Sequence, residues 1–158
     1  NYNPRIIVTT PLNHNLLPKY EFSSCGVEDK IIRGGVAFAP QTTGGFTVSG
    51  VPTSNATFYV CSNNDLITLT AGTYTLSGTP VHSQVDVNSK DWSWGLTIKD
   101  ADNNETFKDK EGFRVWDRGK GSTFVITETT QIRVYFTVNV GLTDTSTYTV
   151  KPSLIKIS

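Results

Sequence analysis

Apolar side chains recur at every second position along this chain, the rhythm a strand with one buried and one wet face requires. Between Gln131 and Val140, one face carries Ile132, Val134, Phe136, Val138 and Val140, and the other carries Gln131, Arg133, Thr137 and Asn139. Thr73-Tyr74-Thr75-Leu76 repeats the pattern, and so does Trp92-Ser93-Trp94-Gly95-Leu96-Thr97-Ile98-Lys99. No stretch shows a 3.6-residue apolar period, and strong helix formers are scarce beside threonine, β-branched and aromatic residues. Turn signals separate the runs, among them Gly44-Gly45, Asn63-Asn64-Asp65, Ser77-Gly78, Asp102-Asn103-Asn104 and Gly119-Lys120-Gly121. Template matching gives roughly ten to twelve short strands. The fold class expected is all-β, an antiparallel β-sandwich with jelly-roll topology as the finer expectation.

At 158 residues the chain is long enough for one domain with a real hydrophobic core. Its 14 basic and 14 acidic residues balance, with no Lys/Arg run, which argues against nucleic acid or an anionic membrane as the main partner. No apolar stretch reaches the roughly 20 residues of a spanning helix, so no membrane insertion is expected. The chain opens at Asn1 and lacks methionine, which reads as a processed protein or a piece of a longer one. Pro4, Pro11 and Pro18 interrupt residues 1–19, expected to be a leader or edge-strand segment, with a strand over 5–10. The sandwich is expected over 20–158. Cys25 and Cys61 read either as one bridge or as two buried thiols.

The usual catalytic constellations are missing from the sequence. His14 and His82 read as surface histidines, and neither lies near a G-x-S-x-G elbow or a cysteine at zinc spacing. Gly34-Gly35 and Gly44-Gly45 read as turn glycines, not as phosphate loops. Glycoside hydrolysis needs only two facing carboxylates, but Asp86, Asp91, Asp100, Glu105, Glu111, Asp117 and Glu128 sit mostly in turns or beside lysines. The expectation is therefore no enzyme. Counted as a calcium loop, Asp100, Asp102, Asn104 and Glu111 occupy the first, third, fifth and twelfth places. The sixth place holds Glu105 where glycine is required, and a polar hairpin turn accounts for the same residues.

Sugars stack their C–H faces on flat aromatic rings, with Arg, Asp or Asn taking the hydroxyls. Parity puts Trp92 and Trp94 on the inward face with Leu96 and Ile98, and Trp92, at the strand's end, is the one that could still surface. In Phe113-Arg114-Val115-Trp116 it puts Phe113 and Val115 inward and sends Trp116 outward with Arg114. Tyr135 breaks the polar face of its strand beside Arg133, and Tyr59 faces away from Phe58 and Val60. Trp116, Arg114, Tyr135, Arg133 and Tyr59 are therefore the candidate carbohydrate-binding residues. The rival reading packs the same rings under the leader or a neighbouring subunit.

From about Leu16 the sequence resembles β-sandwich domains of bacteriophage tail and minor structural proteins, often described as carbohydrate-binding-like. The resemblance rests on Asn15-Leu16-Leu17-Pro18, on Gly45–Gly50 followed by Ala56–Val60, and on Leu69-Thr70-Ala71-Gly72-Thr73-Tyr74-Thr75-Leu76-Ser77-Gly78. Asp117–Phe124, Ile132–Gly141 and Tyr148–Ile155 complete it, whereas Val81–Trp116 matches only loosely. It implies a non-catalytic module of a phage tail or fibre, in the virion and exposed outside it. Its expected partners are a host-surface glycan and other virion subunits, a homo-oligomer included. The alternatives are a purely structural virion sandwich and a carbohydrate-binding appendage of a secreted hydrolase.

Overall fold

The alternating segments form strands, and their apolar faces meet in one core. The computed structural model describes residues 10–17, 30–41, 44–60, 66–89 and 91–158. Cys25, Cys61 and most of the strand expected over 5–10 lie outside these residues. Those described form β1 (Ile31–Arg33), β2 (Val36–Pro40), β3 (Phe46–Ser49), β4 (Ala56–Tyr59), β5 (Ile67–Leu69), β6 (Gly72–Ser77), β7 (Trp94–Asp100), β8 (Trp116–Asp117), β9 (Ser122–Ile126), β10 (Thr130–Val138), β11 (Tyr148–Val150) and β12 (Ser153–Lys156), with no helix among them.

One sheet runs β1-β2-β3-β11, a second runs β4-β10-β7-β8 with β5 also on β10, and a third runs β12-β6-β9. Every strand pair is antiparallel. The described strands thus pair in three sets instead of the two four-stranded sheets of a regular jelly roll, and the architecture stands as an all-β antiparallel sandwich.

In the second sheet Phe136 lies between Phe58 and Leu96, Val134 pairs with Ile98, and Val138 lies between Ala56 and Trp94. All eight of these side chains are buried. The first sheet meets them with Phe38 and Phe46: the Phe46 ring lies 4.6 Å from Phe58 and 5.7 Å from Phe136, and Phe38 lies 5.1 Å from Phe58. Burying each such ring contributes about 1.5–3 kcal/mol. The third sheet adds Tyr74, Leu76, Phe124 and Leu154 to the same core.

Residues 10–17 of the expected leader run along β12. Leu12 makes a parallel bridge to Lys156, and the Leu16 amide donates to the Leu154 carbonyl at 2.8 Å. Asn15 Oδ1 accepts the amides of Leu17 and Leu154, and Leu17 enters the core. Two inward assignments fail. Val140 is exposed because β10 ends at Val138, before the turn at Gly141. Phe113 is exposed because regular pairing begins only at Trp116.

Candidate ligand-binding site

The outer face of the second sheet carries an aromatic row fixed by register. Tyr59 pairs with Tyr135, Tyr135 with Thr97, and Thr97 with Trp116, so the four side chains stand in line across β4, β10, β7 and β8. Parity had sent Tyr59, Tyr135 and Trp116 each outward on its own strand, and the register brings the three onto one face. The expectation that fails is their exposure, since Tyr135 is 3% and Trp116 8% exposed. Backbone pairing decides which way a ring points, while its neighbours decide whether water reaches it.

At the β4–β10 end the neighbours satisfy the row. The Tyr59 and Tyr135 rings lie 4.9 Å apart, and Lys99 Nζ stands 4.8 Å from the Tyr135 centroid. The Tyr135 hydroxyl hydrogen-bonds Asn103 Oδ1. Arg33 reaches across from β1, where it donates to the Thr57 carbonyl at 3.0 Å and lies 6.0 Å from the Tyr59 ring. Arg133 donates to the Ala101 carbonyl at 3.4 Å. These contacts describe packing more than an open platform.

At the β8 end the ring that surfaces is Trp92, 37% exposed, although parity had placed it in the core with Trp94. The strand starts only at Trp94, so the two-residue rhythm no longer fixes Trp92. Its ring meets Trp116 edge-on at 5.5 Å, and the Arg114 guanidinium lies 3.8 Å from its centroid. Arg114 also pairs with Glu105 at 3.7 Å. The Trp116 indole N–H donates to the Trp94 carbonyl at 3.0 Å, which anchors that ring. Gly95 lets β8 come this close: at φ 134° its added Cβ would stand 2.1 Å from the Asp117 carbonyl oxygen.

Beside these rings opens a cleft of about 210 Å³, walled by Val87 and Ser89, by Arg114 and Trp116, and by Lys110, Lys120, Ser122 and Thr123. It combines one indole, hydroxyls, three cations and the two acidic residues Asp109 and Glu111, a mixed set of groups that can hold a polar ring-shaped ligand. Asp117 shapes its floor. This carboxylate is fully buried and accepts the amides of Thr79, Gly119 and Gly121 at 2.8–3.0 Å, which folds the Gly119–Gly121 turn back on itself.

The acidic turn is closed by hydrogen bonds to Asp100. Asp100 Oδ1 accepts the amides of Asp102 and Asn104, and its Oδ2 accepts the Thr106 hydroxyl. Glu111 belongs to the next turn, whose hub is Asp109. No three His, Cys, Asp or Glu side chains gather to hold a metal among the described residues. Asp100 and Asp102 instead line a cleft of about 600 Å³ with Phe107, Lys108, Glu128 and Gln131.

His14 is exposed, as expected, but His82 is buried. Its ring lies 4.7 Å from both Trp94 and Tyr148, and Nδ1 accepts the Gln84 amide at 3.0 Å. Burial lowers its pKa, partly offset by Asp144. The Ser83 hydroxyl beside it hydrogen-bonds Asp144, which also accepts from Tyr148, so the serine has no histidine base. These bonds hold the Asp144 carboxyl well below the usual carboxylate range. Only the position of His82 after Pro80-Val81 was visible in sequence, and a loop position carries no facing information.

Comparison with protein-family models, with curated proteins and with solved structures yields no match.

Proposed function

We propose that this chain is a non-catalytic adhesion domain that holds carbohydrate in the Trp92–Trp116 cleft. The observation that carries the reading is the part-exposed Trp92 ring against Arg114 and Trp116, two residues that line a cleft with lysines, hydroxyls, Asp109 and Glu111. Indole faces take sugar C–H groups, and guanidinium and hydroxyl groups take sugar oxygens. The setting proposed is the exterior of a phage tail or fibre, which rests on the motif order from Leu16 onward. Jelly-roll wiring belongs to the same proposal. Other subunits of the particle, copies of this chain included, are the proposed protein partners.

The proposed site is narrower than the five residues read from sequence. Trp116 and Arg114 belong to it, whereas Tyr59, Tyr135 and Arg133 sit at the packed end of the row. That packing favours a second reading, a purely structural sandwich whose outer rings only hold the domain together.

A glycan array separates the two. Wild type is expected to bind a defined set of glycans, Trp92→Ala to lose at least roughly tenfold in affinity, a loss of about 1.4 kcal/mol, and Tyr135→Phe to keep the wild-type pattern. If no glycan is retained by wild type, the structural reading replaces this one.

A further inference from the structure

His82 is 3% exposed and lies between two rings, Trp94 of β7 and Tyr148 of β11, each 4.7 Å from its own. Its Nδ1 accepts the Gln84 amide at 3.0 Å, which leaves Nε2 to carry the proton of the neutral ring. The Val85 amide donates to the His82 carbonyl at 3.2 Å and closes the turn. From this turn two side chains reach across to the 142–146 loop. Gln84 Oε1 accepts the amides of Thr143 and Asp144, both at 2.8 Å, and its Nε2 donates to Thr143 Oγ1 at 2.8 Å. The Ser83 hydroxyl donates to Asp144, and the Ser83 amide donates to the Tyr148 hydroxyl at 3.2 Å.

The same segment runs on into the wall of the Trp116 cleft. In its next turn the Ser89 amide donates to the Asp86 carbonyl at 3.0 Å, and Val87 and Ser89 line the cleft. Lys120, on the facing side, donates to Asn88 Oδ1 at 2.5 Å. We propose that His82 is an acid-released latch: a proton on Nδ1 frees the 82–85 turn from the 142–146 loop and loosens the cleft wall at Val87 and Ser89. The nitrogen that takes the proton from water is the one facing the Gln84 N–H. An acceptor there becomes a second donor, and the contact that closes the turn is lost.

The faces of Trp94 and Tyr148 favour a cation between them. Burial disfavours it more, and the His82 pKa lies below the ordinary 6.5. Asp144 is the carboxylate that faces the ring from its loop and offsets part of that shift. Tyr148 is the titratable group from β11, and β7 presents the uncharged Trp94. Bonds from Ser83, Tyr148 and Ser146 keep Asp144 ionised to well below the usual carboxylate range, so His82 is the member of the latch that titrates between pH 8 and pH 5. As a control on binding the latch rests on the carbohydrate reading, but its test uses no saccharide, so its outcome and that of the glycan array are read separately.

The test is amide hydrogen exchange followed by NMR on the full chain from pH 8 to pH 5, each rate referred to an unstructured chain at the same pH. The His82 ring protons are titrated alongside. In wild type, protection at Gln84, Thr143 and Ser89 is expected to fall at least roughly tenfold on the midpoint of the His82 titration, while β10 stays protected. His82→Asn, whose Oδ1 can accept the Gln84 amide but takes no proton, is expected to keep its protection throughout. His82→Phe, which fills the space between the rings without an acceptor, is expected to be less protected at pH 8 and flat below it. Protection at Gln84 and Thr143 that does not follow the His82 titration, or that falls equally in either variant, overturns the latch. A fall there with Ser89 unmoved overturns its link to the cleft, and a simultaneous loss in β10 would show global unfolding in place of local release.

Discussion

The two ends of the Tyr59–Tyr135–Thr97–Trp116 row are built from the same ingredients and finish differently. At the β4–β10 end, the Tyr135 hydroxyl meets Asn103, and Arg33 and Arg133 donate to backbone carbonyls. At the β8 end, Trp116 is anchored through its indole N–H, yet the Arg118 guanidinium against the same ring has no hydrogen-bond partner among the described residues, and Trp92 stays part-exposed. Aromatic and cationic residues together therefore do not distinguish packing from binding. What differs between the two ends is access to water, with Tyr135 covered and Trp92 part-exposed.

The largest effect expected is on the turn that carries Arg118. Asp117→Ala orphans the buried Thr79 amide, at about 1–3 kcal/mol, and the part-buried amides of Gly119 and Gly121, at less each, so a loss of about 3–5 kcal/mol is expected from urea denaturation. A loss under about 1 kcal/mol would mean that the Gly119–Gly121 turn holds itself. Tyr135→Phe removes one hydrogen bond at the packed end and is expected to cost about 1 kcal/mol, leaving ligand affinity alone. Any change in glycan affinity for that variant would erase the distinction between the two ends.

The smallest effect expected is a pH dependence at His82, beneath the site against Trp94. Its folded-state pKa lies below the ordinary 6.5, so the unfolded chain takes up a proton that the folded chain refuses. Its contribution is present above pH 6.5 and is lost as the pH falls through the folded-state value. Denaturation midpoints between pH 8 and pH 5 should decline for wild type and decline less for His82→Phe. Parallel curves would remove His82 as the cause.

Parity proved a sound guide wherever both neighbours lie on a strand. Ile132, Val134, Phe136 and Val138 are buried, and Tyr135 shares its face with Tyr59 and Trp116. It failed where the strand had ended or not begun, at Trp92, Phe113 and Val140. Arg114 and Trp116 stood out as candidates because a cation beside a Trp that breaks a polar face has a chemical signature. The burial of Arg118 left no such mark, since a guanidinium loses its water through neighbours distant in the chain.

The sequence by itself determined that the chain forms antiparallel strands and which faces those strands bury, because both follow from side-chain alternation within a few residues. Tertiary structure alone decided which outer rings are covered and which polar atoms go unpaired. Those outcomes depend on segments distant in the chain, such as the turn at Asp86–Ser89 brought beside Trp116, and burial is a property of the whole assembly of neighbours.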